Sequence, residues 1–256
     1  MYLKVDCNEK IKELFGQWEE TMLWSAFEGR MGSMYVDNPE YPSSAAAVIG
    51  DFIFLAGKPD VELMDFTLKL EGFPLDMCII MPQHEGWQCL IETELGAKAE
   101  KVTRYATKKD EAAFSKDDLE RIASSSMDGI HFQFFDETLY NQALSEAWSK
   151  SLVAQFDSYE SYHKEGIGIA ATYDGKLVGG ASSYSRYEKG VEIEIDTKAD
   201  WRNKGIGKTC AAKLILACLE RNLYPSWDAQ TPISLRLAKQ LGYISAGTYV
   251  AYEVFF

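Results

Sequence analysis

Basic residues are scarce in this chain: 26 lysines and arginines stand against 39 aspartates and glutamates, a formal net charge of −13 over 256 residues. A surface that acidic repels phosphate backbones and anionic bilayers over most of its area, so neither a nucleic acid nor a membrane is an expected partner. Cysteine is sparse as well. The five, at positions 7, 78, 89, 210 and 218, are odd in number and form no C-x-x-C pair, which argues against a disulfide framework or a zinc ribbon and for the reducing cytoplasm. Residues 1–20 carry a charge every few positions, so no signal peptide is expected there. The longest apolar stretch, at 45–57, is interrupted by Asp51 and too short to span a bilayer. His84 with Cys78 and Cys89 matches no common ligand spacing, so no metal is expected, and no G-x-S-x-G context supports a nucleophilic triad.

What the chain has is enough apolar and aromatic residue, 46% and 13%, to bury one large core or two modest ones. Apolar positions at Ile11, Leu14, Phe15, Trp18, Met22 and Leu23 predict one amphipathic helix over 9–28. Strands are expected at 32–36, 46–56, 76–81 and 98–107. Helices are expected at 60–71, stopped by Gly72 and Pro74, and at 84–95, closed by Leu95-Gly96. The charged, then serine-rich segment 107–126 reads as a boundary or bridging helix. This gives an N-terminal α/β lobe at 1–110, a linker at 111–126 and a second domain at 127–256. In that domain strands are expected at 129–135, 166–173, 176–184, 190–197 and 223–228, with two more in 243–255. Helices are expected at 136–150, 157–164, 205–221 and 231–240. Asp174-Gly175 is a two-residue hairpin signal. Superposing Leu95-Gly96 on Leu241-Gly242 aligns a strand–helix–strand at 78–107 with another at 224–253. That echo is either two related lobes or the ordinary recurrence of an α/β unit.

The stretch richest in chemistry is GVEIEIDTKADWRNKGIGKTCAAKLILACLE, 190–220. An alternating strand enters a loop with Arg202, Gly205 and Gly207, and an alanine- and leucine-rich helix leaves from the glycines. The first amides of such a helix have no internal partner and its dipole places about half a positive charge at that end, so the loop is a cradle for an anion. Arg202, Lys204 and Lys208 add local cations to an otherwise acidic chain. A P-loop is excluded because Arg202 stands where its first glycine would be, and G-x-G-x-x-G is absent. The remaining alternative is a glycine-containing helix start on a solvated surface.

RNKGIG at 202–207 resembles the arginine-or-glutamine-x-x-glycine-x-glycine-or-alanine signature of the GCN5-related N-acetyltransferases (GNAT), and the order of elements over about 127–256 is similar to that family. It looks most like the bacterial subgroup that includes zwittermicin-resistance-type enzymes. The resemblance implies a mixed α/β fold with a C-terminal acyl-CoA N-acyltransferase domain, acetyl-CoA as cosubstrate, no metal, and transfer of an acetyl group to a primary amine of a small molecule. It implies that the loop Arg202, Asn203, Lys204, Gly205, Ile206, Gly207 and Lys208 holds the pyrophosphate. The strand before it would splay from its neighbour, and the backbone of Ile195, Asp196 and Thr197 would pair with the pantetheine arm.

Glu192, Glu194 and Asp196 alternate onto one strand face opposite Val191, Ile193 and Ile195. Glu192 and Glu194 are the candidate bases for the amine proton; alternatively the three carboxylates form a solvated or salt-bridged face, or bind a cationic acceptor. Thr231 and Ser234 either hydrogen-bond the cofactor or cap the helix at 231–240. The sequence departs from the family where many members carry a tyrosine that protonates the leaving thiolate. Ala238 stands there, leaving water, Tyr243, Tyr249 or Tyr252 as donor. That departure keeps a non-catalytic acyl-CoA-binding regulatory module open as the alternative. In the superposition Arg202 falls on Ala56, Gly205 on Pro59 and Gly207 on Val61. A duplicated first lobe would therefore be a degenerate GNAT-like lobe without the cradle, expected to shape the acceptor cleft or to form a homodimer surface.

Overall fold

Asn8 opens the first helix by accepting a hydrogen bond from the Ile11 amide at 3.1 Å, and Gly16, at φ 64°, ends it. In this computed structural model, which describes residues 2–70 and 76–256, the expected helix over 9–28 is therefore two: α1 (Glu9–Phe15) and α2 (Thr21–Phe27). The apolar spacing runs across the break because both helices bury the same kind of face. The expected strand over 46–56 is likewise two. β3 (Ser44–Ile49) and β4 (Phe52–Gly57) form a hairpin through Gly50-Asp51, and both are buried along nearly their whole length.

Elsewhere in this first unit β2 (Ser33–Val36), β5 (Met77–Pro82), α4 (Glu85–Leu95) and β6 (Ala99–Thr107) lie where the sequence places them, α3 (Val61–Thr67) is shorter than the expected 60–71, and β1 (Leu3–Val5) is a strand that the sequence reading lacks. The expected stop at Gly72 and Pro74 lies outside the described residues. In the second unit α5 (Lys116–Ala123), β7 (Ile130–Phe134), α6 (Glu137–Ser145), α7 (Tyr159–Glu165), β8 (Gly168–Tyr173), β9 (Lys176–Tyr187) and β10 (Gly190–Thr197) lead to α8 (Ile206–Glu220), β11 (Tyr224–Ser226) and α9 (Pro232–Gln240). Asp174 and Gly175, at φ 47° and 72°, make the β8–β9 turn as expected. The region 243–255 holds one strand, β12 (Ser245–Phe255), where two are expected: the strand continues across Gly247, whose φ of 111° is open to glycine and strained for other residues.

Two compact units result, residues 1–104 with 248–256, and residues 105–247. The segment expected as a linker does not serve as one. Leu119, Ile122 and Ala123 of α5 are buried in the second unit's core, where α5 packs on α8. Each of the two larger side chains contributes about 2 kcal/mol by leaving water. The last residues of the chain belong instead to the first unit, where β12 lies between β5 and β6, pairing Tyr252–Phe255 with Met77–Ile80.

The two sheets repeat one order of pairings over β1–β5 and β7–β11, whereas the stretches 78–107 and 224–253 that echo in the sequence both end in strands of the first sheet, β6 and β12. The first runs β1-β2-β3-β4-β5-β12-β6 and the second β7-β8-β9-β10-β11. In each, three antiparallel pairings are followed by one parallel pairing, β4 with β5 and β10 with β11.

Candidate functional site

β10 is paired with β9 along its whole length, but β11 accompanies it only from Gly190 to Glu192. From Ile193 to Thr197 it runs on without a strand partner on that side among the described residues, so the sheet forks. Two features open the fork. A bulge places Tyr184 as an extra residue of β9 between Ser185, opposite Glu192, and Ser183, opposite Ile193, which sharpens the local twist. Beyond Ser226, the Asp228 amide donates to Glu192 Oε1 at 2.6 Å, and the chain then pairs Ala229 with Tyr105. The Glu192 side chain thus takes a hydrogen bond that a continued parallel ladder would have given to backbone.

At the mouth of the fork a 3-10 turn, Ala199–Trp201, leads into the loop, where Asn203 sits at φ 61° and Gly205 at φ 84°. Gly205 begins α8 with no side-chain cap, and the first helical bond is Thr209 N to Gly205 O at 3.0 Å. The amides of Ile206, Gly207 and Lys208 precede it, the groups that an uncapped helix start leaves open. A Cβ on Gly207 would lie 3.1 Å from Thr197 Oγ1 and 3.4 Å from Ile195 Cγ2, so the loop seats against β10 only because nothing projects there. Arg202 Nε donates to the Thr197 carbonyl at 3.1 Å, and the Lys204 ammonium lies 4.4 Å from the centre of the Trp201 ring. The structure therefore brings together Ile195–Thr197, a strand edge with no strand partner on that side among the described residues, and Arg202–Lys208, which lead into a helix start with no side-chain cap.

Thr231 and Ser234 serve the chain itself: Thr231 Oγ1 accepts from the Ser234 amide at 3.1 Å, and Ser234 Oγ accepts from Trp227 Nε1 at 3.0 Å. Of the two readings of Thr231, the helix cap is the one with a hydrogen bond behind it.

The acidic face is graded in burial. Glu192 is 4% exposed, whereas Glu194 and Asp196 are half-buried. Ser185 and Ser226 flank Glu192 at the same register; both are fully buried, and neither hydroxyl has a hydrogen-bond partner. Asp196 Oδ2 accepts from Ser151 Oγ at 3.2 Å, from the 3-10 turn Lys150–Leu152. Burial pushes the Asp196 carboxyl up from 3.8 to about 6, against the lowering pull of the Ser151 hydrogen bond and the Arg202 charge. The folded state therefore holds this proton more tightly than the unfolded chain does. The stability it contributes is complete below pH 3.8 and is lost as the pH rises through about 6. Asp196→Asn is accordingly expected to melt a few degrees above the parent at pH 8 and together with it below pH 4 (both about), in thermal unfolding followed by circular dichroism. Coincident melts at both pH values would refute this reading of Asp196.

Ala238 is a buried core residue of α9. Among the tyrosines considered as thiolate donors, Tyr243 is committed: its hydroxyl donates to the Pro225 carbonyl at 2.5 Å, and burial pushes it well above the ordinary range. Tyr252 donates to Glu92 at 2.5 Å in the first unit, and Tyr249 also belongs to that unit. Ser151, Asp228 and the serine pair were missed by sequence reasoning. Isolated serines and a lone aspartate carry no spacing signal, and each acquires meaning only from a strand partner distant in sequence.

Among its described residues the first unit has no such fork. β5 follows β4 through Leu55–Pro82, and the Gln83 amide continues the ladder to the Leu55 carbonyl at 3.0 Å. Gln83 Oε1 accepts from the Gly57 amide at 3.0 Å, while Trp87 Nε1 donates to the Gly57 carbonyl at 3.0 Å. His84, considered above as a metal ligand, caps α4 through Nδ1 and meets the Gly57 carbonyl through Nε2 at 2.9 Å. The start of α3 is closed by the Asp60 carboxylate, which accepts from the Leu63 amide at 3.1 Å. Among the described residues no group of three or more histidine, cysteine, aspartate or glutamate side chains could hold a metal ion, and no helix is long and apolar enough to cross a membrane.

Comparison with known proteins agrees with this geometry. The profile of the GNAT acetyltransferase family matches residues 12–252. An uncharacterized N-acetyltransferase of Bacillus subtilis, YdfB, is 23% identical over 236 residues, which cover 86% of this chain and 85% of that one. The crystal structure of a GCN5-related N-acetyltransferase-like protein from Streptococcus suis superposes with a TM-score of 0.90 at 43% identity, over 95% of this chain and 96% of that one. A tandem GNAT protein from the clavulanic acid biosynthesis pathway shares the fold, with a TM-score of 0.51 at 9% identity over 100% and 98% of the two chains. The chain belongs to the GNAT acetyltransferase family and is an acyl-CoA-dependent N-acetyltransferase.

Proposed function

We propose that the second unit acetylates a primary amine of a small cationic molecule, that acetyl-CoA is held in the β10–β11 fork, and that Glu192 is the base. The observation that carries this reading is the coincidence, at one fork, of an unpaired strand edge, three uncapped helix amides and a buried carboxylate at the apex. Bound acetyl-CoA supplies a thioester whose carbonyl carbon takes the amine nitrogen as the carbon–sulfur bond breaks. The amides of Ile206–Lys208 and the cations of Arg202 and Lys208 hold the pyrophosphate. The β10 edge at Ile195–Thr197 orders the pantetheine arm, and a backbone amide there polarises the carbonyl. Glu192, with Oε1 fixed by the Asp228 amide, takes the proton that the amine loses, directly or through water held by the flanking serine hydroxyls. Solvent protonates the thiolate, because Tyr243 gives its proton to a carbonyl instead.

The preference for a cation rests on the carboxylates of Glu192, Glu194 and Asp196 sharing the acceptor-side face, where a neutral or anionic amine finds no matching charge. Calorimetric titration should show acetyl-CoA and desulfo-CoA binding with dissociation constants on the order of micromolar, and spermidine should turn over at least about ten-fold faster than glutamate. Binding of both nucleotides without turnover of any amine would favour the non-catalytic regulatory module. Acetylation only of acidic or neutral amines would overturn the substrate class and leave the cofactor site standing.

A further inference from the structure

Among its described residues the first unit lacks a cradle, yet it has a cavity, open to solvent along one side, of about 580 Å3. It opens where the loop between α1 and α2 faces the end of β5, α4 and β12, all within the first unit. Phe15, Trp18 and Tyr249 supply rings, and Gln17, Gln83 and Gln88 supply carboxamides. No charged side chain lines it among the described residues.

The three carboxamides are not equivalent. Gln83 is held at both ends, Nε2 donating to the Leu14 carbonyl at 2.6 Å and Oε1 accepting from the Gly57 amide at 3.0 Å, so it is a fixed part of the wall. The side-chain amides of Gln17 and Gln88 make no hydrogen bond to the protein among the described residues; Gln88 is half-buried, and Gln17 is exposed at the rim. The Trp18 ring is also half-buried and is held edge-on to Phe54, with centroids 5.6 Å apart. Its indole N–H likewise has no hydrogen-bond partner among the described residues. A held ring beside two uncommitted carboxamides is a recognition surface with both donors and acceptors.

We infer that this cavity is a second ligand site, separate from the fork, which takes an uncharged molecule with a planar ring and a carboxamide-like donor–acceptor edge. The ring stacks on Trp18, and the edge pairs with the amides of Gln17 and Gln88. An ionised ligand is disfavoured because the lining offers it no opposite charge in exchange for its water. The inference does not depend on where acetyl-CoA binds or on which amine is acetylated.

The test is saturation-transfer NMR on the full chain with nicotinamide as probe and nicotinate, its anionic counterpart, as control. Nicotinamide is expected to bind with a dissociation constant on the order of 1 mM, as suits so small a molecule, and nicotinate at least about ten-fold more weakly. Gln88→Leu, on a partly exposed helix face where folding is not at stake, should weaken nicotinamide about five-fold through the loss of one or two hydrogen bonds. Trp18→Ala should abolish the signal, and saturating acetyl-CoA should leave it unchanged. Equal binding of nicotinate, no loss in Gln88→Leu, displacement by acetyl-CoA, or no nicotinamide signal at about ten times the expected dissociation constant would each overturn the proposal.

Discussion

Glu192→Gln is expected to lower kcat by about 10² to 10⁴-fold while leaving acetyl-CoA affinity within about two-fold of the parent, the range attributed to a positioned general base. The substitution isolates the proton transfer. A glutamine carbonyl can still accept from the Asp228 amide, which meets Glu192 Oε1 at 2.6 Å, so the apex of the fork keeps its hydrogen bond. Its amide group can donate to the buried Ser185 and Ser226 hydroxyls, which have no partner of their own. Glu192→Ala would confound the result, since it leaves a buried N–H unsatisfied at a cost of about 1–3 kcal/mol. The decisive record is the pH dependence of kcat/KM. The limb reporting ionisation of the base should vanish in Glu192→Gln and persist in Glu194→Gln, whose carboxyl is more exposed. Unchanged turnover across pH in both variants would remove these carboxylates from the chemistry.

For Gly205→Val the expected result is a rise of about 100-fold or more in the acetyl-CoA dissociation constant, with a melting temperature lower by only about 2–8 °C. Gly205 sits at φ 84°, a conformation that costs a residue with a side chain about 1–2 kcal/mol and a β-branched one more. Relief of that strain moves the first turn of α8, whose amides are the open donors. Two hydrogen bonds to a charged group, at about 1.5–3 kcal/mol each, account for the lost affinity. The space itself is not the obstacle: the nearest atom to an added Cβ is the flexible Met127 Cε at 3.3 Å. Calorimetry and a thermal melt on the same preparation check the pair of values. An unchanged dissociation constant in a folded variant would show that the loop does not hold the nucleotide.

The loop at 202–208 was legible because its chemistry is local: two glycines, three cations and a helix start lie within seven consecutive residues. The Asp174-Gly175 hairpin was legible for the same reason. The break at Gly16 was not, because Phe15, Trp18 and Met22 keep a helical spacing across it and periodicity cannot register an interruption that preserves phase. The β3–β4 hairpin was concealed differently. Strands buried on both faces lose the polar alternation that marks an end, so AAAVIGDFIFLAG reads as one run although Gly50-Asp51 turns the chain. The fork itself was expected from resemblance, whereas its support was not. The Asp228 amide on Glu192 and the Ser151 hydroxyl on Asp196 join residues 36 and 45 positions apart, and no pattern of residue types announces such pairs.

The placement of β12 governs the order of events during synthesis. The inner edge of β5, the run Met77–Pro82, is buried and almost wholly apolar, and it is completed by Tyr252–Phe255. Until Tyr252–Phe255 have been made, that edge has no strand to pair with on this side, the kind of template on which nascent chains pair wrongly. The second unit, residues 105–247, is by then fully translated. The first unit, whose opening 104 residues are made before the second, is therefore completed only after residue 247 has been made.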